Sequence, residues 1–202
     1  MTKQNIFILL IFFVLAGVAL VFSMTTPPEQ PSGQSPNNTP PASEDSRLYE
    51  SDTYGISFRY PATYFATERS VGTPDMPQQA IILAEDTQEN RDLFEGRNTE
   101  PREGPIAITI DIYENPQKLS PQDWIQSSTN WTLSNQQLTP TTVDNKEGLS
   151  YSWSGLYEGK STVITNEQYA YVISTTWLLP SDPTIEDYNT VLNSLRISSE
   201  TK

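Results

Sequence analysis

Residues 149–177 read LSYSWSGLYEGKSTVITNEQYAYVISTTW, and this stretch decides the fold. It holds three strand-like runs: Leu149 to Ser154, Ser161 to Thr165 and Gln168 to Trp177. They are rich in Tyr, Trp, Val, Ile and Thr, side chains that suit a pleated, half-buried surface. Gly155 to Lys160 and Asn166-Glu167 separate them as turns. Three neighbouring strands with short connections read as an antiparallel meander.

Strand patterns continue upstream. Ile56, Phe58 and Tyr60 alternate with Ser57 and Arg59 until Pro61 stops the run. Tyr64 to Arg69 reads as the returning strand of a hairpin. Gln79 to Ala84 is a third strand, with Ile81-Ile82-Leu83 at its centre. Pro105 to Tyr113 is a fourth, with Ile106, Ile108, Ile110 and Ile112 on one face. Two long loops are expected, Ser70 to Gln78 and Glu85 to Gly104.

Two helices are marked by their starts. Ser120 can cap a helix opening at Pro121, with Asp123 at the third position and Leu119 and Trp124 placed as a hydrophobic staple. The second runs from Pro183 to about Ser194 with Asp182 as its cap, and Ile185, Tyr188, Val191, Leu192 and Leu195 form one apolar stripe. Several strands with two well-spaced helices point to an α+β fold, an antiparallel β-sheet with helices packed on it.

The N-terminal quarter differs in composition. Ile6 to Phe22 is 17 apolar residues without a break. With Ser23 and Met24 it would make a helix of about 28 Å, close to the hydrocarbon thickness of a bilayer. Residues 6–24 therefore read as a transmembrane signal anchor. A cleaved signal peptide, followed by secretion, is the competing reading. Lys3 precedes the run, and no Lys or Arg follows it until Arg47. The positive-inside rule then places residues 1–5 in the cytoplasm and the rest outside the membrane. Residues 25–47 hold Pro27, Pro28, Pro31, Pro36, Pro40 and Pro41 and almost no apolar side chain. They read as a disordered Pro-rich linker. Residues 48–202 are the expected extracytoplasmic domain, soluble and monomeric on its own, and long enough for a single core.

Composition removes whole classes of chemistry. The 202 residues contain no histidine and no cysteine. Catalytic triads, thiol nucleophiles, disulfides, zinc–thiolate and imidazole metal sites are excluded. A net charge of −13 disfavours nucleic acid as a partner. Carboxylate, hydroxyl and lysine chemistry remains, or none.

Two stretches resemble PsbP-like domains. Tyr54-Gly55-Ile56-Ser57-Phe58-Arg59-Tyr60-Pro61 resembles their opening strand, and Tyr188-Asn189-Thr190-Val191-Leu192-Asn193-Ser194-Leu195-Arg196-Ile197 resembles their closing helix, which leads through a serine into a final strand. That superfamily includes the photosystem II extrinsic protein, a Ran-binding nuclear import factor and small bacterial envelope proteins. The resemblance implies an αβα sandwich around an antiparallel sheet. The bacterial envelope members match best in layout, and they imply a non-catalytic role.

Four features are candidates for a site. The segment Glu85 to Gly104 holds Glu85, Asp86, Glu89, Asp92, Glu95, Glu100 and Glu103 beside Arg91, Arg97 and Arg102. It lacks EF-hand spacing, and the arginines compete for its carboxylates, so a solvated loop is expected. Tyr151, Trp153, Tyr169, Tyr171 and Trp177 lie at even spacings. Exposed, they would bind sugars or peptides; covered, they are core. Lys160-Ser161 is a possible Ser/Lys pair or an ordinary turn. Asp144-Asn145-Lys146-Glu147-Gly148 reads as a turn. No spacing singles out catalytic, cofactor-binding or metal-ligating residues, and no cofactor is implied. The expected function is binding or scaffolding in the cell envelope, through the bilayer at residues 6–24 and an unknown envelope protein partner. The alternatives are a carboxylate-dependent hydrolase and a sugar- or peptide-binding module.

Overall fold

The computed structural model describes residues 45–73, 76–97, 103–127 and 137–198. The expected cytoplasmic N-terminus, the anchor and almost all of the linker lie outside the described residues. None of the described helices is long and apolar enough to cross a membrane.

The elements in chain order are β1 (Ser46–Ser51), β2 (Ile56–Pro61), β3 (Tyr64–Thr73), β4 (Met76–Glu85), α1 (Gln88–Phe94), β5 (Ala107–Glu114), α2 (Pro121–Ser127), β6 (Thr139–Val143), β7 (Lys146–Ser154), β8 (Glu158–Thr165), β9 (Tyr169–Trp177), α3 (Thr184–Ser194) and β10 (Arg196–Ile197). They build two antiparallel sheets. One has three strands in the order β1-β2-β10, the other seven in the order β3-β4-β5-β9-β8-β7-β6. The expected α+β class with helices on an antiparallel sheet is what the chain forms.

One face of the large sheet presents Ile81, Leu83, Ile108, Ile110, Ile112, Ile164, Tyr171 and Ile173. α3 lays Tyr188 and Val191 on it, and β2 closes the same core with Ile56, Phe58 and Tyr60. Each large side chain fully buried here contributes roughly 1.5–3 kcal/mol. Ser194 locks α3 to β2: its Oγ accepts from Arg59 N at 2.9 Å. The opposite face carries Tyr113, Tyr151, Val163, Ala170 and Val172, with Trp124 and Ile125 of α2 packed among them. α1 covers the β3 edge of that face, where Phe94 meets the ring of Phe65 edge-on at 5.8 Å.

The turns follow from their residues. Asp144 and Asn145 stand at φ 50° and 59° between β6 and β7, the backbone of a two-residue type I′ hairpin. Asn166 Oδ1 accepts from Gln168 N and Tyr169 N, which turns the chain from β8 to β9. Ser120 Oγ accepts from Asp123 N and donates to the Asp123 carboxylate, so the expected cap of α2 forms, with Leu119 and Trp124 together in the core beneath it.

Several expectations are corrected. The strand from Tyr64 is not the hairpin return of β2: the chain crosses at Ala62-Thr63 into the other sheet. The segment Ser70 to Gln78 is largely the continuation of β3 and β4. Within Glu85 to Gly104, α1 forms, because Thr87 accepts from Asn90 N as its cap. Asp182 does not cap α3; the cap position is Pro183, and the Asp182 carboxylate instead receives the Thr184 hydroxyl and Leu178 N. Ser46 and Arg47, placed in the linker from sequence, pair with Pro61 and Tyr60 in β1.

Candidate functional site

The α3-side face of the large sheet changes character across its width. From β4 to β9 it is mostly isoleucine and leucine, with Tyr171 among them. At β8, β7 and β6 two of these rows turn polar. Ile173 pairs with Thr162, Thr162 with Ser150 and Ser150 with Thr139. In the next row Thr175 pairs with Lys160 and Lys160 with Ser152. Gln137, Thr139, Ser150, Ser152 and Lys160 line an open pocket of about 440 Å³ at this edge. From Ser150 in its lining a hydroxyl chain runs into the core: Ser150 Oγ to Thr162 Oγ1 at 2.7 Å, then Thr162 Oγ1 to Tyr188 Oη at 2.7 Å. Lys160 Nζ lies 5.9 Å from the centre of the Tyr188 ring. Burial pushes the Tyr188 phenol up, so it stays a neutral hydroxyl. Among the described residues the lining thus offers the Lys160 ammonium and several hydroxyl and amide groups, and no carboxylate.

That set suits an oxygen-rich, negatively charged small molecule. The sequence reading missed it. The signal was the alternation of Ser150 and Ser152 in β7 and of Lys160 and Thr162 in β8, which is polar on the parity that is apolar further along the sheet.

Three carboxylates of the acidic segment, Asp86, Asp92 and Glu95, are held by arginines. Asp86 accepts from Arg91 Nε at 2.6 Å and Nη2 at 2.8 Å and lies 3.4 Å from Arg47 Nη1. The Arg91 guanidinium holds its carboxyl below the usual range. Arg97 bridges Asp92 and Glu95, and Gln88 also donates to Asp92. Glu100 and Arg102 lie outside the described residues. Among the described residues no cluster of carboxylates is placed to hold a metal ion.

The aromatic stripe is split. Tyr151 and Trp153 face α2, whereas Tyr169 and Tyr171 lie on the α3 side. Tyr151 and Tyr171 are buried, and burial pushes the Tyr151 phenol up to about 12. Trp153 lies across Gly159, where any β-carbon would strike the indole. These rings build core and do not form one exposed binding stripe. Lys160 and Ser161 also part company. Consecutive residues in β8 point to opposite faces, so Lys160 joins the pocket while Ser161 Oγ binds Ser174 Oγ at 2.8 Å and receives Trp153 Nε1 at 3.1 Å. No Ser/Lys pair forms.

A second cleft, of about 420 Å³, opens where β10 meets the β6–β7 turn, lined by Glu50, Asp52, Asp144, Arg196 and neighbouring serines. Asp144 is structurally committed there: its Oδ2 accepts from Ile197 N at 2.7 Å.

Comparison with known proteins adds a fold likeness. No family model matches the chain, and no curated protein matches it. Among solved structures the chain is similar to the solution structure of cyanobacterial PsbP (CyanoP) from Synechocystis sp. PCC 6803, at 12% sequence identity and a TM-score of 0.49. The likeness covers 76% of this chain and 93% of that one.

Proposed function

We propose that this chain is a membrane-anchored, extracytoplasmic PsbP-like domain that works by binding in the cell envelope, without catalysis. The observation that carries the anchor is the unbroken apolar run from Ile6 to Phe22. The PsbP-like assignment rests on Tyr54 to Pro61 as the first core strand after a glycine turn, and on Tyr188 to Ile197 as a helix that runs into the closing strand. Binding is favoured over chemistry because Asp86, Asp92 and Glu95 of the acidic segment are held by arginines and Ser161 is spent on Ser174 and Trp153. The binding pocket assigned to this role is the one at Lys160.

Two measurements test the reading. The full-length protein should stay with membranes through carbonate extraction, and protease added outside intact cells should remove the domain. Release by carbonate, or a mature chain starting near Met24, would make it a secreted protein. For the pocket, glucuronate is a suitable probe, since it combines a carboxylate with ring hydroxyls. It should raise the melting temperature of the wild-type chain and leave Lys160→Met unchanged.

A further inference from the structure

Three leucines stand exposed at one end of the seven-stranded sheet. Leu156 is 80% exposed, Leu178 60% and Leu179 64%. Leu156 lies in the turn between β7 and β8, and Leu178-Leu179 follow directly after β9. Glu158 pairs with Trp177, which brings the turn and the two leucines to the same tip. Single exposed leucines are ordinary; three at one tip are a patch that asks for an apolar neighbour.

The chain enters the domain at the same end. Ala62 N donates to Asp45 O at 2.7 Å, and Arg47 Nη1 donates to Tyr64 O at 2.9 Å. Tyr64 pairs with Glu85, the last residue of β4. The register then runs from Ala84 to Ala107, from Ile108 to Thr175 and from Thr176 to Gly159. Glu85 and Trp177 therefore close one edge of the sheet. β4 and β9 are two strand spacings apart, roughly 10 Å. The Thr73–Met76 pair and residues 166–168 lie at the opposite end.

We infer that the tip formed by Leu156, Leu178 and Leu179 rests in the headgroup–acyl boundary of the bilayer. The inference depends on the anchor reading. Thr25 to Glu44 is twenty residues, which can span at most about 70 Å in any conformation. A domain held that close meets the surface at high effective concentration, so a small apolar contact suffices. The lipid expected is zwitterionic, because the chain's net charge of −13 and the flanking Glu158 and Asp182 oppose an anionic surface. Contact with the membrane would hold the Lys160 edge in a set orientation above it.

The chain has no native cysteine, so a single label reports one position. Full-length Leu178→Cys and Glu167→Cys chains carry an environment-sensitive dye and are reconstituted into phosphatidylcholine vesicles, with and without brominated acyl chains. Residue 167 belongs to the far end of the sheet. The dye at 178 should shift to shorter wavelength and be quenched by the bromines, and the dye at 167 should do neither. Adding Leu156→Ser and Leu179→Ser to the Leu178→Cys chain should abolish the shift; these side chains are exposed, so a melt checks that the fold survives. Chains that float with the vesicles but give the same emission at 178 and 167 overturn the inference alone. The same holds if 178 is buried by a protein and not by lipid, so that bromines have no effect. Chains that fail to float overturn the anchor and this inference with it.

Discussion

The Tyr188 hydroxyl of α3 and the Thr162 hydroxyl of β8 lie 2.7 Å apart, at a point where neither residue reaches solvent. Thr162 also holds Ser150 Oγ at 2.7 Å. The pair therefore joins the apolar core under α3 to the polar pocket at the sheet edge. Removing only the Tyr188 hydroxyl leaves Thr162 a partner. Tyr188→Phe should cost about 1 kcal/mol. Tyr188→Ala removes a fully buried ring and should cost about 3–5 kcal/mol. Urea unfolding midpoints measure both. Equal losses would mean that the hydroxyl, and not the ring, carries α3.

Asp144 makes a second local prediction. Its φ of 50° is tolerated by Asn and Asp far better than by Ala. Its carboxylate also receives Ile197 N, which ties the short strand β10 to this turn. Asp144→Ala loses both features and should destabilise by about 2 kcal/mol. Asp144→Asn keeps an acceptor and the backbone preference and should cost much less. Thermal melts of the two variants separate the explanations: if Asn is as harmful as Ala, charge is what matters at this turn.

The same residues show what a sequence can and cannot display. The meander, β2, β5 and the two longer-range helices were legible because their apolar residues keep a period of two or of 3.6. β1 was not, because its outward residues are polar and Leu48 is half-exposed; its stability comes from pairing with β2, a tertiary fact. The crossing at Ala62-Thr63 was read as a hairpin because two short strands in succession look the same whether they pair or change sheets. α1 hid in a charged segment whose helix depends on one threonine cap. The pocket at Lys160 arises from register, which places Ser150, Ser152 and Thr139 beside it from two other strands. The alternation within β7 and β8 shows two polar faces, and only the register shows that they meet. The aromatic residues misled in the same way: even spacing within each strand says nothing about the parity between strands.

Calcium offers a test of the acidic segment. Asp86 and Asp92 already hold arginines, so a cation would have to displace Arg91 and Arg97. At matched ionic strength, 10 mM Ca²⁺ should leave the melting temperature unchanged. A site with a dissociation constant near 10⁻⁴ M would instead add about 2.7 kcal/mol at that concentration, a shift of several degrees. Such a shift, lost in an Asp86→Asn and Glu89→Gln chain, would make this segment a metal site.

Asp111 contributes a pH dependence that a single substitution isolates. It sits in β5 on the α2-side face, largely buried, and accepts from Gln78 Nε2 at 2.6 Å and from Thr109 Oγ1 at 3.4 Å. Burial raises its pKa, and these two donors only partly offset that. The folded chain therefore keeps this proton to higher pH than the unfolded chain, whose aspartates titrate near about 4. The sign follows. At low pH both states are protonated and burial of the carboxyl costs little. From about pH 4 the unfolded carboxyl ionises while the folded one keeps its proton, so stability falls until pH passes the raised folded value; above it both states are ionised and the folded state alone bears a buried charge. Asp111→Asn is neutral at every pH, and its Oδ1 can still accept from Gln78. The variant should melt higher than wild type at pH 7, by up to a few degrees, and the advantage should vanish toward pH 3. Asp187, also raised by burial, is common to both chains and cancels in the difference. If Asp111→Asn melts below wild type at pH 7, the charge is worth more to Gln78 and Thr109 than its burial costs, and the sign assigned here is wrong.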